Sequence, residues 1–305
     1  MARTYNTNQN VEFSRKIEET AYAGGDAGLI RTKTKMADSD VLGFFLFMEG
    51  SKINMPLIDW ELINMGGSNA KAGIKHRIPV NKKALQGDIT VYHQGTTLIN
   101  MAGGATIVEE ANPAITEIWH WQDGMSKNEA YGVHVVDYTL EIPKDGAVSE
   151  KVTVGCFNSQ TEAVATSVNL NDIAAVALLT TAFAVRNQCS ISIAAADTIF
   201  ETITLSIKNK YEYYQTAAGF EAILAGRDIE ITFTTPAVEE TELNALHSST
   251  ITPVTVAIAT GKYTYTVTNC QVVCEARNEV SEMSDGLRVM TFKAYPTIAS
   301  VVAIT

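Results

Sequence analysis

The sequence predicts a mainly β fold with at least one helix lying against the sheet. Short extended runs recur from residue 88 onward, punctuated by Gly, Asn and Asp, which is the pattern of a sandwich or barrel. Within two of these runs apolar and polar residues alternate strictly, so one face is buried and the other wet. Two interruptions between the runs have helical length or helical spacing.

The first 50 residues mix a polar start with YAGGDAGLI and VLGFFLFMEG and read as a loosely structured arm leading into a buried apolar element. The Gly24, Gly25 and Gly28 cluster lacks both the Lys-Ser/Thr ending of a P-loop and the setting of a dinucleotide site, so it reads as linker. Next come Lys71, Lys75, Arg77, Lys82 and Lys83, with no acid between Glu61 and Asp88. They form either a solvated loop or a contact with an acidic face of a neighbouring subunit, since complementary charge sets register and orientation.

The extended runs are DITVYHQGTTLI, AITEIWHW, GVHVVDYTLEI, EKVTVGCF, TITLSIKN, DIEITFTT, KYTYTVTNCQVV and LRVMTFKAY. In the fifth, Ile203, Leu205 and Ile207 face one way and Thr202, Thr204, Ser206 and Lys208 the other. Ile229, Ile231 and Phe233 repeat the pattern against Glu230 and Thr232. Residues 173–185, IAAVALLTTAFAV, have the composition of a buried helix and are too short for a membrane span. PAVEETELNALHS, residues 236–248, reads as a short amphipathic helix: Pro236 suits a first turn, and the early acids complement the helix dipole.

Composition narrows the function. The 305 residues are 46% hydrophobic and 19% charged, which excludes a disordered acidic regulator and a collagen-like fibre. Surplus acid, a net charge of −11, disfavours stable binding to nucleic acid, which requires phosphate neutralisation. The amino terminus carries no signal-like apolar stretch, so the chain is expected to stay in the cytoplasm of the cell that makes it. Cys156, Cys189, Cys270 and Cys274 are too irregularly spaced for a disulfide scaffold and read as reduced thiols.

No catalytic pattern emerges. Asp137 and Glu141 share a strand face but show no cleft, and neither Asp38/Asp40 nor Glu109/Glu110 has calcium-loop spacing. A nucleophile elbow is absent, and the histidines give no zinc spacing. Trp119 and Trp121 fall on one face of a strand, as packing or interface aromatics or as a sugar-stacking platform. The expectation is a protein that is not an enzyme and holds no cofactor or metal.

Read together, TITLSIKNKYEYYQTAAGFEAILAGRDIEITFTT, PAVEETELNALH, GKYTYTVTNCQVV and DGLRVMTFKAYP resemble the phage major tail tube protein family over about residues 202–296. The order of parts carries the likeness: a strand ending near Asn209, a variable segment, an Ala/Gly/Arg turn, an acidic helix and two late strands. The resemblance implies a tail-tube-like β-sandwich with a flanking α-helix, and long hairpins that join those of neighbours into an inter-subunit β-barrel. It divides the chain into an arm and interface region over 1–50, one elaborated domain over 51–296 and a C-terminal extension over 297–305.

The same likeness implies a structural subunit of the virion tail, forming hexameric rings stacked into a tube through which DNA passes without being gripped. Expected partners are further copies, with tail sheath, terminator and baseplate proteins beyond them, and no membrane insertion. Asp137, Glu141 and Glu230 are then candidates to face the lumen, and Lys71, Lys75, Arg77, Lys82 and Lys83 to join ring to ring. The competing readings are a tail terminator or hub, and a carbohydrate-binding β-sandwich built on Trp119, Trp121, Tyr213 and Tyr214.

Overall fold

The computed structural model describes residues 12–17, 52–53, 58–65, 74–82, 85–103, 106–108, 117–123, 126–156, 158–163, 183–216, 219–235, 253–277, 290–296 and 301–305. Four strands precede the first run expected to be extended: β1 (Glu12–Ile17), β2 (Lys52–Ile53), β3 (Ile58–Met65) and β4 (Ile74–Lys82). The expected loose arm therefore contributes a strand. β1 lies antiparallel to a later strand, with Glu12 opposite Gln122 and Ile17 opposite Glu117.

The run beginning at Asp88 divides in two. β5 (Leu85–Tyr92) ends before Gly95, and Thr97–Gly103 forms helix α1, where an extended segment was expected. The sequence TLINMAG explains the change, because Leu98, Ile99, Met101 and Ala102 are all buried by the helical turn. Continued extension would place consecutive apolar residues on opposite faces. After β6 (Thr106–Val108) and β7 (Glu117–Asp123), β8 (Ser126–Ile142) runs for 17 residues. β9 (Ser149–Cys156) and β10 (Asn158–Ala163) return along it.

Residues 183–185 close the stretch expected to be a buried helix, and they are not helical. Val185 has extended angles, φ −124° and ψ 154°, and bridges to Ala147. Residues 173–182 and the expected helix at 236–248 lie outside the described residues. A 3-10 turn at Arg186–Gln188 leads into β11 (Ser190–Ile193) and β12 (Ala196–Thr198). The long hairpin β13 (Thr202–Thr216) and β14 (Gly219–Thr235) follows, then β15 (Val254–Ala259), β16 (Thr264–Arg277), β17 (Met290–Pro296) and β18 (Val301–Ile304). β18, within the expected C-terminal extension, pairs with β16 and β6.

Among the described residues the chain is mostly strand, in two antiparallel sheets, and no closed barrel forms. The smaller sheet is the β3–β4 hairpin. The larger has the path β12-β11-β15-β16-β17-β14-β13-β8-β9-β5-β2, with β7 and β10 flanking the far half of β8. The alternation read from sequence is realised here: Ile203, Leu205, Ile207, Ile231 and Phe233 belong to a buried core with Tyr138, Leu140, Val152 and Ile89. Val256, Ile258 and Tyr265, from strands well along the path, join the same core. The sheet therefore bends round onto itself.

Polar contacts mark where its ends meet. His93, just past β5, is wholly buried and pairs through Nδ1 with the Glu150 carboxylate of β9. Its Nε2 lies 3.1 Å from the Tyr265 hydroxyl and 3.2 Å from Thr260 Oγ1. The Tyr138 hydroxyl is buried without a hydrogen bond of ordinary geometry. Its pKa is nevertheless raised, first by burial and then by the nearby Glu150 charge.

One glycine at this junction is required by both conformation and space. Gly261 has φ +75°, and a Cβ there would meet Gln188 Cβ at 2.7 Å. Gly261→Ala is expected to cost about 1–3 kcal/mol, read as a lowered urea midpoint with unchanged slope.

Candidate functional site

The predicted lumen residues come together. In the sheet register Asp137 stands opposite Lys208, Glu141 opposite Thr204, and Ser206 opposite both Thr139 and Glu230. Residues opposite one another in an antiparallel pair share a face, so Asp137, Glu141 and Glu230 lie on a single polar face spanning β8, β13 and β14. β9 and β5 extend it through Lys151, Thr153, Asp88 and Thr90.

The face carries charges of both signs. Within β5, β8, β9, β13 and β14, carboxylates at Asp88, Asp137, Glu141, Asp228 and Glu230 outnumber the ammonium groups of Lys151, Lys208 and Lys210; at its two margins the register adds Lys52 of β2, opposite Asp88, and Lys293 of β17, opposite Thr232. Lys151 pairs with Glu141, and Lys210 Nζ lies 2.7 Å from Asp228 Oδ2. These exposed pairs contribute little to stability. Their effect is on the field: Lys151 and Lys210 are held beside acids, and over the central strands β5, β8, β9, β13 and β14 the residual charge is negative.

The expected ring-to-ring residues are placed differently from a loop. Lys75, Arg77 and Lys82 lie in β4, opposite Asn64, Leu62 and Ile58 of β3, while Lys71 and Lys83 fall outside the described residues. Two-residue spacing puts Lys75 and Arg77 at equivalent positions of the strand. The loop reading failed because IKHRIPVNK alternates in only part of its length and carries Pro79, a residue that weakens a strand assignment.

Trp119 is fully buried, so it offers no wet stacking surface. Trp121 occupies β7 opposite Asn128 and Phe13. Tyr213 and Tyr214 are consecutive residues of a regular strand, positions that alternate between faces. Trp119, one of the four aromatics that a carbohydrate-binding platform calls for, is therefore enclosed in the core. Cys189 and Cys270 are free thiols whose pKa values burial pushes up to about 11, which makes them poor nucleophiles. No cluster of His, Cys, Asp and Glu suited to a metal occurs among the described residues.

Sequence reasoning missed a second feature, the fork in the sheet. β13 pairs with β8 from Ile203 to Lys208, and β14 pairs with β17 from Ile231 to Thr235. Further out, β13 and β14 continue as a hairpin ribbon with each other, through Thr216 opposite Gly219. Between Val133 and Ser126, β8 is instead flanked by β7 and β10. Register shifts mark the divergence, one between Val135 and Asp137 and another between Lys210 and Tyr211. Such bulges bend strands and re-aim them.

Buried polar groups fill the crotch of the fork. Asn209 Nδ2 donates to Ala102 O and to Val135 O, each at 2.8 Å. Arg227 Nε donates to Asn209 Oδ1 at 2.7 Å, and Nη2 to Ala102 O at 3.0 Å. Burial lowers the Arg227 pKa, and the charge of Tyr211 partly offsets that effect. The sequence signal was the Ala/Gly/Arg turn, but only the register shows that Asn209 stands opposite Arg227.

No protein-family model matches the chain, and no curated protein matches it.

Proposed function

We propose that this protein is a structural subunit of a phage tail tube, forming hexameric rings that stack around a channel for DNA. The observation that carries the reading is the pair of long hairpins, β8 with β9–β10 and β13–β14, set side by side with one apolar face buried and one polar face outward. A two-stranded ribbon is marginal alone in water, and strand edges invite pairing. Neighbouring copies would supply that pairing and complete the inter-subunit barrel. In the assembled ring each subunit is a sandwich with a flanking helix.

The polar face then lines the channel. Asp137, Glu141 and Glu230 give it a negative bias, and ion pairing holds Lys151 and Lys210 away from phosphate. DNA needs a wall that neither neutralises nor releases its counterions, since counterion release is what makes proteins grip it. Lys71, Lys75, Arg77, Lys82 and Lys83 meet acid on the next ring. Sheath, terminator and baseplate proteins are the further partners, and the assembled location is the virion tail.

Negative-stain electron microscopy of the purified full chain tests the reading. Rings or tubes are expected; monomers persisting over a range of salt and concentration would overturn it. Reversing Lys82 and Lys83 to Glu is expected to stop tube growth while leaving the monomer melting transition in place. Unchanged polymerisation would remove these residues from the ring contact.

A further inference from the structure

Asn209 and Arg227 sit where the β13–β14 ribbon leaves the body, are both almost completely enclosed, and are opposite one another in register. Their hydrogen bonds converge on two backbone carbonyls with specific places in the fold. Ala102 O belongs to the last turn of α1, and Val135 O lies at the bulge where β8 passes from pairing with β13 to pairing with β7. One amide and one guanidinium thus tie the ribbon base to the helix and to the diverging strand. The planar guanidinium donates in fixed directions, so it fixes an angle as well as a distance.

Tyr211 supports the same geometry just past the bulge. Its ring meets buried His134 of β8 edge-on, with centroids 4.7 Å apart. The ribbon is held at its base from both sides of the fork.

We infer that Asn209 and Arg227 are positioning residues, a clamp that sets the direction in which the β13–β14 ribbon leaves the body and so its ability to pair with the ribbon of another copy. This rests on the tube reading for its consequence, but the clamp itself is a property of one chain. Residues lying on no subunit contact would thereby control assembly. Backbone bulges alone leave a ribbon free to swing, because two strands resist bending less than a full sheet does.

The test separates orientation from both stability and assembly. Spin labels incorporated at Asp145, in the exposed turn after β8, and at Gln215, near the ribbon tip, report their separation by pulsed electron resonance on the monomer. The wild-type chain is expected to give a narrow distance distribution. Arg227→Met, which keeps the volume and removes the fork of donors, is expected to broaden it at least twofold, and Arg227→Lys to do so less. Asn209→Asp keeps an acceptor for Arg227 but loses both amide donors, and should broaden it too.

Leu205→Ala serves as a destabilised control away from the fork and should leave the distribution narrow. Unchanged distributions in Arg227→Met and Asn209→Asp would overturn the clamp, as would equal broadening in the control. A wild-type chain that never assembles overturns the tube reading and leaves the distance experiment intact. If the clamp and the tube reading both hold, Arg227→Met monomers that melt cooperatively still fail to form tubes.

Discussion

Replacing Glu150 with alanine is expected to destabilise the chain by about 1–3 kcal/mol, the cost of leaving a buried polar partner without its hydrogen bond. His93 has no exposure to water, and Glu150 holds its Nδ1. Without the carboxylate a polar ring remains in the core at the point where β5 and β9 approach β15 and β16. The contacts of Nε2 with Tyr265 and Thr260 depend on the ring staying oriented. Chemical denaturation measures the loss, and a cost no larger than that of a surface substitution would show that water reaches the pair.

Glu150→Gln separates charge from shape. Burial raises the Glu150 pKa above its ordinary 4.5, while the hydrogen bond and charge of His93, and then Tyr138, pull it back in part. The native chain therefore holds this proton more tightly than the unfolded chain does. By linkage, the contribution of Glu150 is fully favourable below the unfolded value and is lost as pH rises through the raised native value. Glutamine has no proton to lose. Stability against pH is expected to fall across that window in the wild type and to fall less in Glu150→Gln, so that the two curves converge or cross toward higher pH. Parallel curves would assign the slope to other groups.

The difference between what the sequence disclosed and what it hid follows from the range of the interactions. Alternation is local, so the buried rows at Ile203, Leu205, Ile207 and at Ile229, Ile231, Phe233 were legible, as was the common face of Asp137 and Glu141. Glu230 joins that face only through pairing with Ser206, and registers between strands are set by the whole hydrophobic pattern together with the bulges. Helix α1 was hidden because TTLI suits a strand as well as a helix, and burial of Leu98, Ile99, Met101 and Ala102 decided between them. His93, Glu150 and Tyr265 are separated by long stretches of chain, so their cluster left no trace in spacing. Asn209 and Arg227 were visible as the end of a strand and part of a turn, but their clamp requires a helix carbonyl more than a hundred residues away in sequence, at Ala102.

On the proposed tube reading, shortening the β13–β14 ribbon is expected to abolish tube formation and leave a folded monomer. Joining Tyr211 to Leu224 through Asn-Gly, in place of residues 212–223, keeps the first register pair beyond the bulge and supplies a residue pair suited to a two-residue hairpin turn. It also keeps Tyr211 against His134, and Asn209 and Arg227 in the fork. The buried rows of β13 and β14 lie on the body side of the cut, so the core loses none of Ile203, Leu205, Ile207, Ile229, Ile231 or Phe233. The full ribbon runs roughly 23 Å from Asn209 to Thr216 at about 3.3 Å per residue. That reach is long enough to lie along a neighbour, and the cut removes more than half of it. Electron microscopy should then show no tubes at concentrations where the wild type is fully assembled, with a single cooperative melt in calorimetry. Tubes of normal diameter from the shortened chain would mean that the ribbon tip lies outside the channel wall, and the negative face of β8, β13 and β14 would lose its proposed place in the lumen.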